Sequence, residues 1–151
     1  MLHRAFSLLE LLVAVAILAI VVSVAVPVYT TYGLRAHRVN AQADLLRCAQ
    51  GLERHATQTM GYAMAVDTDG DSVGDASTGP VSENLCAVRA DVYEIRLQAS
   101  NSNGFVLRAV PRSDGAAAAE GVLELDSVGA RRWDRNGDGD FDDAREQQWT
   151  D

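Results

Sequence analysis

The sequence lacks the residue arrangements that usually mark an active site. It has 3 histidines, all within the first five residues or the first predicted helix, and it has no nucleophile elbow, HExxH pair or glycine-rich phosphate loop. Its 2 cysteines form no CxxC pair, so they offer no usual zinc site. A catalytic centre would need carboxylates alone, and we therefore expect a chain that is not an enzyme.

Basic residues are also scarce. The chain has 13 Lys and Arg against 21 Asp and Glu, which gives a formal net charge of −8. Direct DNA binding needs a basic surface that neutralises phosphates, so this composition disfavours direct DNA binding. At 151 residues, the chain has room for one modest domain beside a membrane segment.

Charge is nearly absent from Phe6 to Val26, where Glu10 is the one charged residue. About 20 apolar residues with a rise of ~1.5 Å each can cross the ~30 Å hydrocarbon core of a bilayer. A carboxylate in such a segment costs about 2.5–3.5 kcal/mol and usually has a partner. The run therefore predicts a membrane-spanning helix whose acid has a specific role. The alternative is a plain signal anchor with an incidental glutamate.

A short basic leader, Met1 to Ala5, precedes the apolar run. A secretory signal carries its small-residue cleavage site after the apolar region, whereas Ala5 stands before it. Cleavage between Ala5 and Phe6 would leave the helix on the mature protein, with a free amine at its start. Because Arg4 marks the cytoplasmic side, the positive-inside rule places the chain after Val28 outside the cytoplasm.

The stretch at positions 5–10, Ala-Phe-Ser-Leu-Leu-Glu, resembles the processing motif of the type IV pilin family, with Ala5 where glycine is commoner. The resemblance implies that prepilin peptidase cleaves before Phe6 and methylates its amine. It also implies that Glu10 pairs with the Phe6 amine of a neighbouring subunit during filament assembly. The implied partners are other pilin subunits, prepilin peptidase, the inner-membrane assembly platform and, before assembly, membrane lipid.

The function implied by this resemblance is that of a PilE-like minor pilin, which acts in pilus assembly or priming and through the pilus in twitching motility, adhesion or DNA uptake. Its localisation would be a single pass of the inner membrane with a periplasmic head, and later the extracellular pilus. Two alternatives share part of the pattern. A type II secretion pseudopilin has the same N-terminal motif, and a membrane-anchored calcium-dependent adhesin would never polymerise.

Beyond the apolar run, the sequence predicts an α+β fold. Pro27 predicts a bend in the first helix, and apolar residues at three-to-four spacing from Leu34 to Met60 predict its amphipathic continuation, which Gly61 ends. Period-two alternation after residue 92 predicts a four-stranded antiparallel meander whose apolar face packs on this long helix, as in the pilin fold. The predicted strands are 93–99, 105–110, 122–125 and 130–133.

These patterns divide the chain into six segments in order. They are the leader 1–5, the transmembrane or filament-core helix 6–28, the amphipathic half of the first helix 29–61, a loop 62–91, the antiparallel sheet 92–133 and an acidic C-terminal loop 134–151. The last four are expected outside the membrane because they follow the apolar run.

Cys48 and Cys86 both lie in the part that is predicted to be outside the cytoplasm. That compartment is oxidising, which favours a Cys48–Cys86 disulfide. Such a bond would stabilise the fold by roughly 4 kcal/mol in the chain-entropy model. The alternative is two unpaired buried thiols.

The first of two acidic loops has aspartates at alternate positions, like the start of a calcium-binding loop. Asp67, Asp69 and Asp71 could converge on one Ca²⁺ ion, with Asp75 as a further ligand. The alternative is a solvated turn region, since Asp and Gly are favoured in turns without any metal.

The second acidic loop begins like an EF-hand loop, with glycine at its sixth position. Its candidate Ca²⁺ ligands, at the first, third, fifth and ninth positions, are Asp134, Asn136, Asp138 and Asp142. Arg145 occupies the twelfth position, where the closing glutamate belongs, so Asp143 or Glu146 would have to close a variant site. The alternative is a solvated acidic loop. The dissociation constant expected for an extracellular calcium site is on the order of 10⁻⁴–10⁻³ M.

We predict that the mature protein begins at Phe6 and carries one methyl group on its amine, because the leader and the motif match the substrate of prepilin peptidase. Intact-mass measurement of the protein purified from cell envelopes checks both points, and a strain without prepilin peptidase supplies the unprocessed control. Envelope protein that still begins at Met1 would contradict the resemblance to pilins.

Overall fold

The computed structural model describes residues 7–89 and 92–150 of the chain. Helix α1 (Leu8–Thr59) is followed by strands β1 (Gly79–Pro80), β2 (Tyr93–Ser100), β3 (Phe105–Pro111), β4 (Leu123–Asp126) and β5 (Arg131–Trp133). The boundary between two compact units falls within α1, after Arg35. The predicted cleavage site, between Ala5 and Phe6, lies outside the described residues.

The first unit contains the apolar part of α1. Its described side chains from Ser7 to Tyr32 are all exposed, including Leu18 at 61% and Val24 at 62%. An apolar surface of this size is unfavourable in water, and the helix is long and apolar enough to cross a membrane. Pro27 lies inside α1, so the helix continues through it rather than ending there, as predicted.

In the second unit, α1 buries one stripe of side chains at three-to-four spacing, as predicted, but this stripe ends at Leu52, and Met60, which the prediction included, is 87% exposed. The apolar members of this stripe with no exposed surface are Ala41, Leu45, Cys48 and Leu52. The helix ends at Thr59, and Met60 takes the left-handed conformation, with φ 64°. The prediction that Gly61 ends the helix is therefore wrong in its detail. Gly61 instead packs closely against the next segment, because a Cβ there would lie 3.1 Å from the Cα of Ser102.

The strands form one antiparallel sheet of 5 strands in chain order. The predicted meander of four strands corresponds to β2–β5, and β1 is an additional strand that the sequence pattern did not predict. Gly79 and Pro80 of β1 pair with Leu97 and Arg96 at the edge of β2. A strand of two residues is too short to show a periodic pattern, so the sequence could not predict it. Pro80 is tolerated because β1 is an edge strand, where the missing amide costs no ladder hydrogen bond.

One face of the sheet joins the buried stripe of α1 in a single core. The core side chains of the sheet are Tyr93, Ile95, Leu97, Phe105, Leu107, Ala109, Leu123 and Leu125. Helix and sheet are also in direct polar contact, because the guanidinium of Arg38 lies 4.0 Å from the centre of the Trp133 ring. Arg38 Nη1 lies 2.6 Å from Glu120 Oε2 in the connection before β4. The predicted α+β architecture, a long helix packed on an antiparallel sheet, is thus confirmed.

A disulfide joins α1 to the loop before β2. Cys48 and Cys86 are bonded, with their Cα atoms 4.9 Å apart, and this is the pairing that the sequence favoured. The loop approaches the helix closely here, because a Cβ on Gly51 would lie 2.2 Å from the carbonyl oxygen of Leu85. A covalent bond and a contact that only glycine permits therefore hold the loop against the helix.

Neighbouring leucines on α1 give a matched test of this packing. Leu45 has 0% of its surface exposed and Leu46 has 39%. We predict that Leu45→Ala lowers the free energy of unfolding by about 2–5 kcal/mol, because it leaves a cavity in the core. Leu46→Ala removes the same atoms from a half-exposed site and should cost less than about 1 kcal/mol. Denaturant titration of the full chain in detergent, followed by tryptophan fluorescence, measures both; equal losses would contradict the described core.

Candidate functional site

Glu10 lies in the first turn of α1, and its side chain is exposed like those around it. It is the one charged residue between Phe6 and Val26. A lone carboxylate on an apolar helix needs a cation from elsewhere once water is removed. Its predicted partner is the Phe6 amine of another subunit. Because Phe6 lies outside the described residues, this pairing stays a prediction.

The first acidic loop gathers three of its four predicted ligands. One carboxylate oxygen from each of Asp67, Asp69 and Asp71 lies within 4.8 Å of the others. Asp75 is used differently, since its carboxylate accepts hydrogen bonds from the Thr68 amide at 3.0 Å and the Thr68 hydroxyl at 2.6 Å. The loop is therefore an acidic turn from which the fourth predicted ligand is diverted.

Backbone amides already hold Asp67 in this turn. The Gly70 amide donates to it at 2.7 Å and the Ser72 amide at 2.9 Å, and the Asn84 side chain adds a third bond at 3.1 Å. These hydrogen bonds, that from Gly70 above all, lower the pKa of Asp67. The protein's own hydrogen bonds thus stabilise the charge of Asp67.

The second acidic loop forms two ligand groups that share one residue. Asp134 and Asp138 form one group with Glu146, and Asp140 and Asp142 form another with Glu146; in each group the ligand atoms lie within 4.8 Å of one another. Such groups of carboxylates can hold a metal ion. Asp140 was not predicted from the sequence because the seventh residue of an EF-hand loop normally offers its backbone carbonyl.

The remaining candidates of this loop are Asn136 and Asp143. Asn136 donates its side-chain amide to Asp138 at 2.7 Å, and its side-chain oxygen accepts the Asp138 amide at 3.0 Å. Asp143, one of the two residues offered to close the site, belongs to neither group, whereas Glu146 belongs to both. The hydrogen bond and the charge of Asp140 raise the pKa of Asp142.

Glu146 is the buried member of the loop, with 1% of its surface exposed. Its backbone carbonyl accepts a hydrogen bond from the Trp133 amide at 2.8 Å, so this residue covers the free edge of β5. Its Oε1 accepts from the amides of Arg135 at 3.1 Å and Asn136 at 3.5 Å. Its Oε2 is also buried and has no hydrogen-bond partner among the residues that the structure describes.

A row of charged side chains crosses the other face of the sheet. Arg96, Arg108, Glu124 and Arg132 are paired in register from β2 to β5. Glu124 binds Arg108 Nε at 2.7 Å and Arg132 Nη1 at 2.6 Å, while Arg96 binds Glu94 at 2.8 Å. Arg132 Nη2 also lies 3.4 Å from Asp126, so each of these arginines is paired with a carboxylate, and the row does not form an unpaired basic stripe.

Comparison with known families gives two matches. Residues 1–26 match the prokaryotic N-terminal methylation motif, and residues 27–120 match the family described as type IV minor pilin ComP, DNA uptake sequence receptor. Neither the comparison with curated proteins nor that with solved structures found a match. The second family match covers more than half of the chain and ends before the second acidic loop. With its motif, its apolar helix and its helix-on-sheet head, the chain belongs to the family of the type IV minor pilin ComP.

Proposed function

We propose that this chain is a structural subunit of a type IV pilus, which enters the filament through the apolar part of α1. The observation that supports this most directly is the exposure of every described side chain from Ser7 to Tyr32, behind a matched methylation motif. A surface of this kind is favourable in a bilayer and again when apolar helices pack together. One helix therefore serves as a membrane anchor before assembly and as filament core afterwards.

Glu10 gives the assembly its register in this proposal. Leaving one buried carboxylate without a cation costs about 2.5–3.5 kcal/mol on insertion scales. The methylated amine of Phe6 from a neighbouring subunit would supply that cation, and an axial offset that separates the two would leave both charges buried and unpaired. The Glu10–Phe6 pair would thus favour the correct axial register mainly because every other register leaves both charges buried and unpaired.

The partners and location follow from the same proposal. Prepilin peptidase removes residues 1–5, the inner-membrane platform extracts the helix, and other pilin subunits pack around it. The head stays outside the cytoplasm, first in the periplasm and then on the pilus. The Cys48–Cys86 disulfide supports this location, because such bonds persist in oxidising compartments.

A change at Glu10 tests the proposal. We predict that Glu10→Gln, which keeps the shape and removes the charge, lowers the amount of this subunit in sheared pili at least tenfold, the equivalent of about 1.4 kcal/mol. Its amount in the inner membrane should not change, since the neutral helix inserts at least as well. Leu9→Ala, a neutral change at the adjacent exposed position, is the control. Quantitative immunoblots of pilus and membrane fractions give both values.

Three outcomes separate the alternatives. Equal incorporation of the parent and Glu10→Gln would contradict the filament proposal and favour an adhesin that does not polymerise. A deletion strain that loses type II secretion but keeps twitching would favour a pseudopilin. Loss of twitching, piliation or DNA uptake with normal secretion supports the minor pilin.

DNA reception is a second candidate function, and the family match supports it. The family that residues 27–120 match is described as a DNA uptake sequence receptor. The charge of −8 and the paired arginines of the sheet oppose it, because phosphate binding needs cations that are not already neutralised. DNA reception by this chain would therefore rely on a few exposed arginines of the matched segment.

Exposed arginines inside and outside the matched segment allow a controlled test. If the chain receives DNA, a labelled duplex should bind the full protein in detergent, and binding should weaken steeply with salt. Arg89→Gln with Arg112→Gln, at two exposed arginines of the matched segment, should then reduce the slope of log affinity against log salt by about 1 for each of the two that binds a phosphate. Arg145→Gln, an equally exposed change outside the matched segment, should leave binding unchanged. Fluorescence anisotropy measures this, and no binding at low salt would exclude a receptor role.

A further inference from the structure

The buried carboxylate of Glu146 is an unusual feature of the head. Its Oε1 is satisfied by two backbone amides, whereas its buried Oε2 accepts no hydrogen bond from the described residues. The adjacent guanidinium of Arg135 is directed elsewhere, since it stacks 4.4 Å from the centre of the Trp133 ring and donates to the Thr150 carbonyl at 2.7 Å. A buried carboxylate oxygen without a partner is costly, so this atom points to a ligand.

Other carboxylates converge on the same residue. Glu146 shares one group with Asp134 and Asp138, and a second with Asp140 and Asp142. We propose that residues 134–146 bind one Ca²⁺ ion, with Glu146 as the ligand that closes the site. This inference does not depend on filament assembly or on DNA binding, and it concerns a segment beyond the family match.

The chemistry of the loop favours Ca²⁺ over other divalent cations. All side chains of the two groups offer carboxylate oxygens, which suit hard cations rather than zinc or copper. Ca²⁺ accepts six to eight oxygens in a flexible geometry, whereas Mg²⁺ requires a small octahedral shell and keeps most of its water. Five carboxylates distributed over two overlapping groups fit the larger and less regular shell.

The path of the chain explains why the closing residue comes one position late. The Glu146 amide donates to the Asp143 carbonyl at 2.9 Å, so a turn precedes the buried glutamate. Arg145, at the usual closing position, is exposed, and Glu146 is carried inward against β5. Packing against the edge of the sheet therefore buries the thirteenth residue of the loop, Glu146, instead of the twelfth, and makes it the closing ligand.

Bound Ca²⁺ would fasten the C-terminal segment to the sheet. Asp134 follows β5 directly, and Glu146 pairs its backbone with Trp133 at the free edge of that strand. Further along, Trp149 Nε1 donates to the carbonyls of Glu124 at 3.2 Å and Arg132 at 3.0 Å. An ion between Asp134 and Glu146 would join the two ends of the loop, so it would protect an edge that could otherwise pair with another chain.

The first acidic loop differs in the feature that carries this inference. Its three clustered aspartates are exposed or only partly buried, and none of them resembles the buried Glu146. Ser82 Oγ and Tyr93 Oη are unpartnered buried atoms too, but neither is a carboxylate oxygen, which is the kind of ligand that Ca²⁺ favours. The first loop therefore serves as an internal comparison in the experiment.

The experiment uses the full chain in detergent, stripped of metal with a chelator and titrated with Ca²⁺ by calorimetry. We expect a binding heat and a higher unfolding temperature at about 10 mM Ca²⁺, tenfold above the weak end of the extracellular range. Mg²⁺ at the same concentration should give a much smaller shift. Terbium luminescence sensitised by Trp133, whose amide contacts Glu146, reports whether the ion occupies this loop.

Paired variants assign the ligands. Glu146→Gln should raise the Ca²⁺ dissociation constant at least tenfold. Changes to residues that only support a metal ligand already weaken metal affinity by about that factor, so loss of a ligand should cost no less. Asp138→Asn, at an exposed member of the site, should do the same and covers the case in which Glu146→Gln does not fold. Asp143→Asn removes the same charge from an exposed loop residue outside both groups, and it should bind like the parent.

Several results would overturn the proposal. One is the absence of both a binding heat and a shift in unfolding temperature at about 10 mM Ca²⁺. This concentration is about tenfold above the highest dissociation constant expected for an extracellular calcium site. Another is parent-like binding by both Glu146→Gln and Asp138→Asn. A third is loss of binding in Asp71→Asn with parent-like binding in Asp138→Asn, which would place the ion in the first loop.

Discussion

The constraint on which the rest of this protein depends is an apolar helix surface that is exposed from Ser7 to Tyr32 and carries one carboxylate. Water does not solvate such a surface favourably, so the helix is stable only in lipid or against other apolar helices. Both environments penalise Glu10 until a cation reaches it. A chain with these properties is suited to move from a membrane into a filament, and membership of a minor pilin family agrees with that role.

The second unit uses the same helix in a different manner. From Ala36 onward, α1 buries only one stripe, and the sheet and the disulfide-bonded loop cover it. The close approach of Leu85 to Gly51 and the Cys48–Cys86 bond hold an irregular loop that has little periodic structure of its own. A small head of this kind gains stability from such fastenings, since its core is limited in size.

The two acidic loops show how similar sequences acquire different physical properties. Both have aspartates at alternate positions and glycines between them, and in both the aspartates accept hydrogen bonds from nearby amides. In the first loop the clustered carboxylates remain exposed or only partly buried. In the second, the edge of β5 draws Glu146 into the interior and leaves one of its oxygens without a described partner. Burial, and not the number of acids, distinguishes the two.

Most of the fold could be predicted because its signals are local. Helical periodicity gave the stripe that contains Leu45 and Leu52, and period-two alternation gave β2 and β3 almost to the residue. The missed strand, Gly79–Pro80, has no such signal, because its pairing depends on where the chain returns beside β2. The role of Asp75 also depends on how the chain folds back. The sequence predicted Asp75 as a metal ligand, but in the structure its carboxylate accepts hydrogen bonds from Thr68.

The amino-acid sequence by itself determined the apolar helix, its single acid, the processing motif and the order of the strands, because each depends on neighbours within a few residues. Only the tertiary structure decided that the helix ends at Thr59, that Asp140 joins the acidic groups, and that Glu146 rather than Asp143 turns inward. These outcomes depend on contacts between distant segments. Neighbouring side chains of a loop point in different directions. Which of them is buried depends on the surface that packs against the loop.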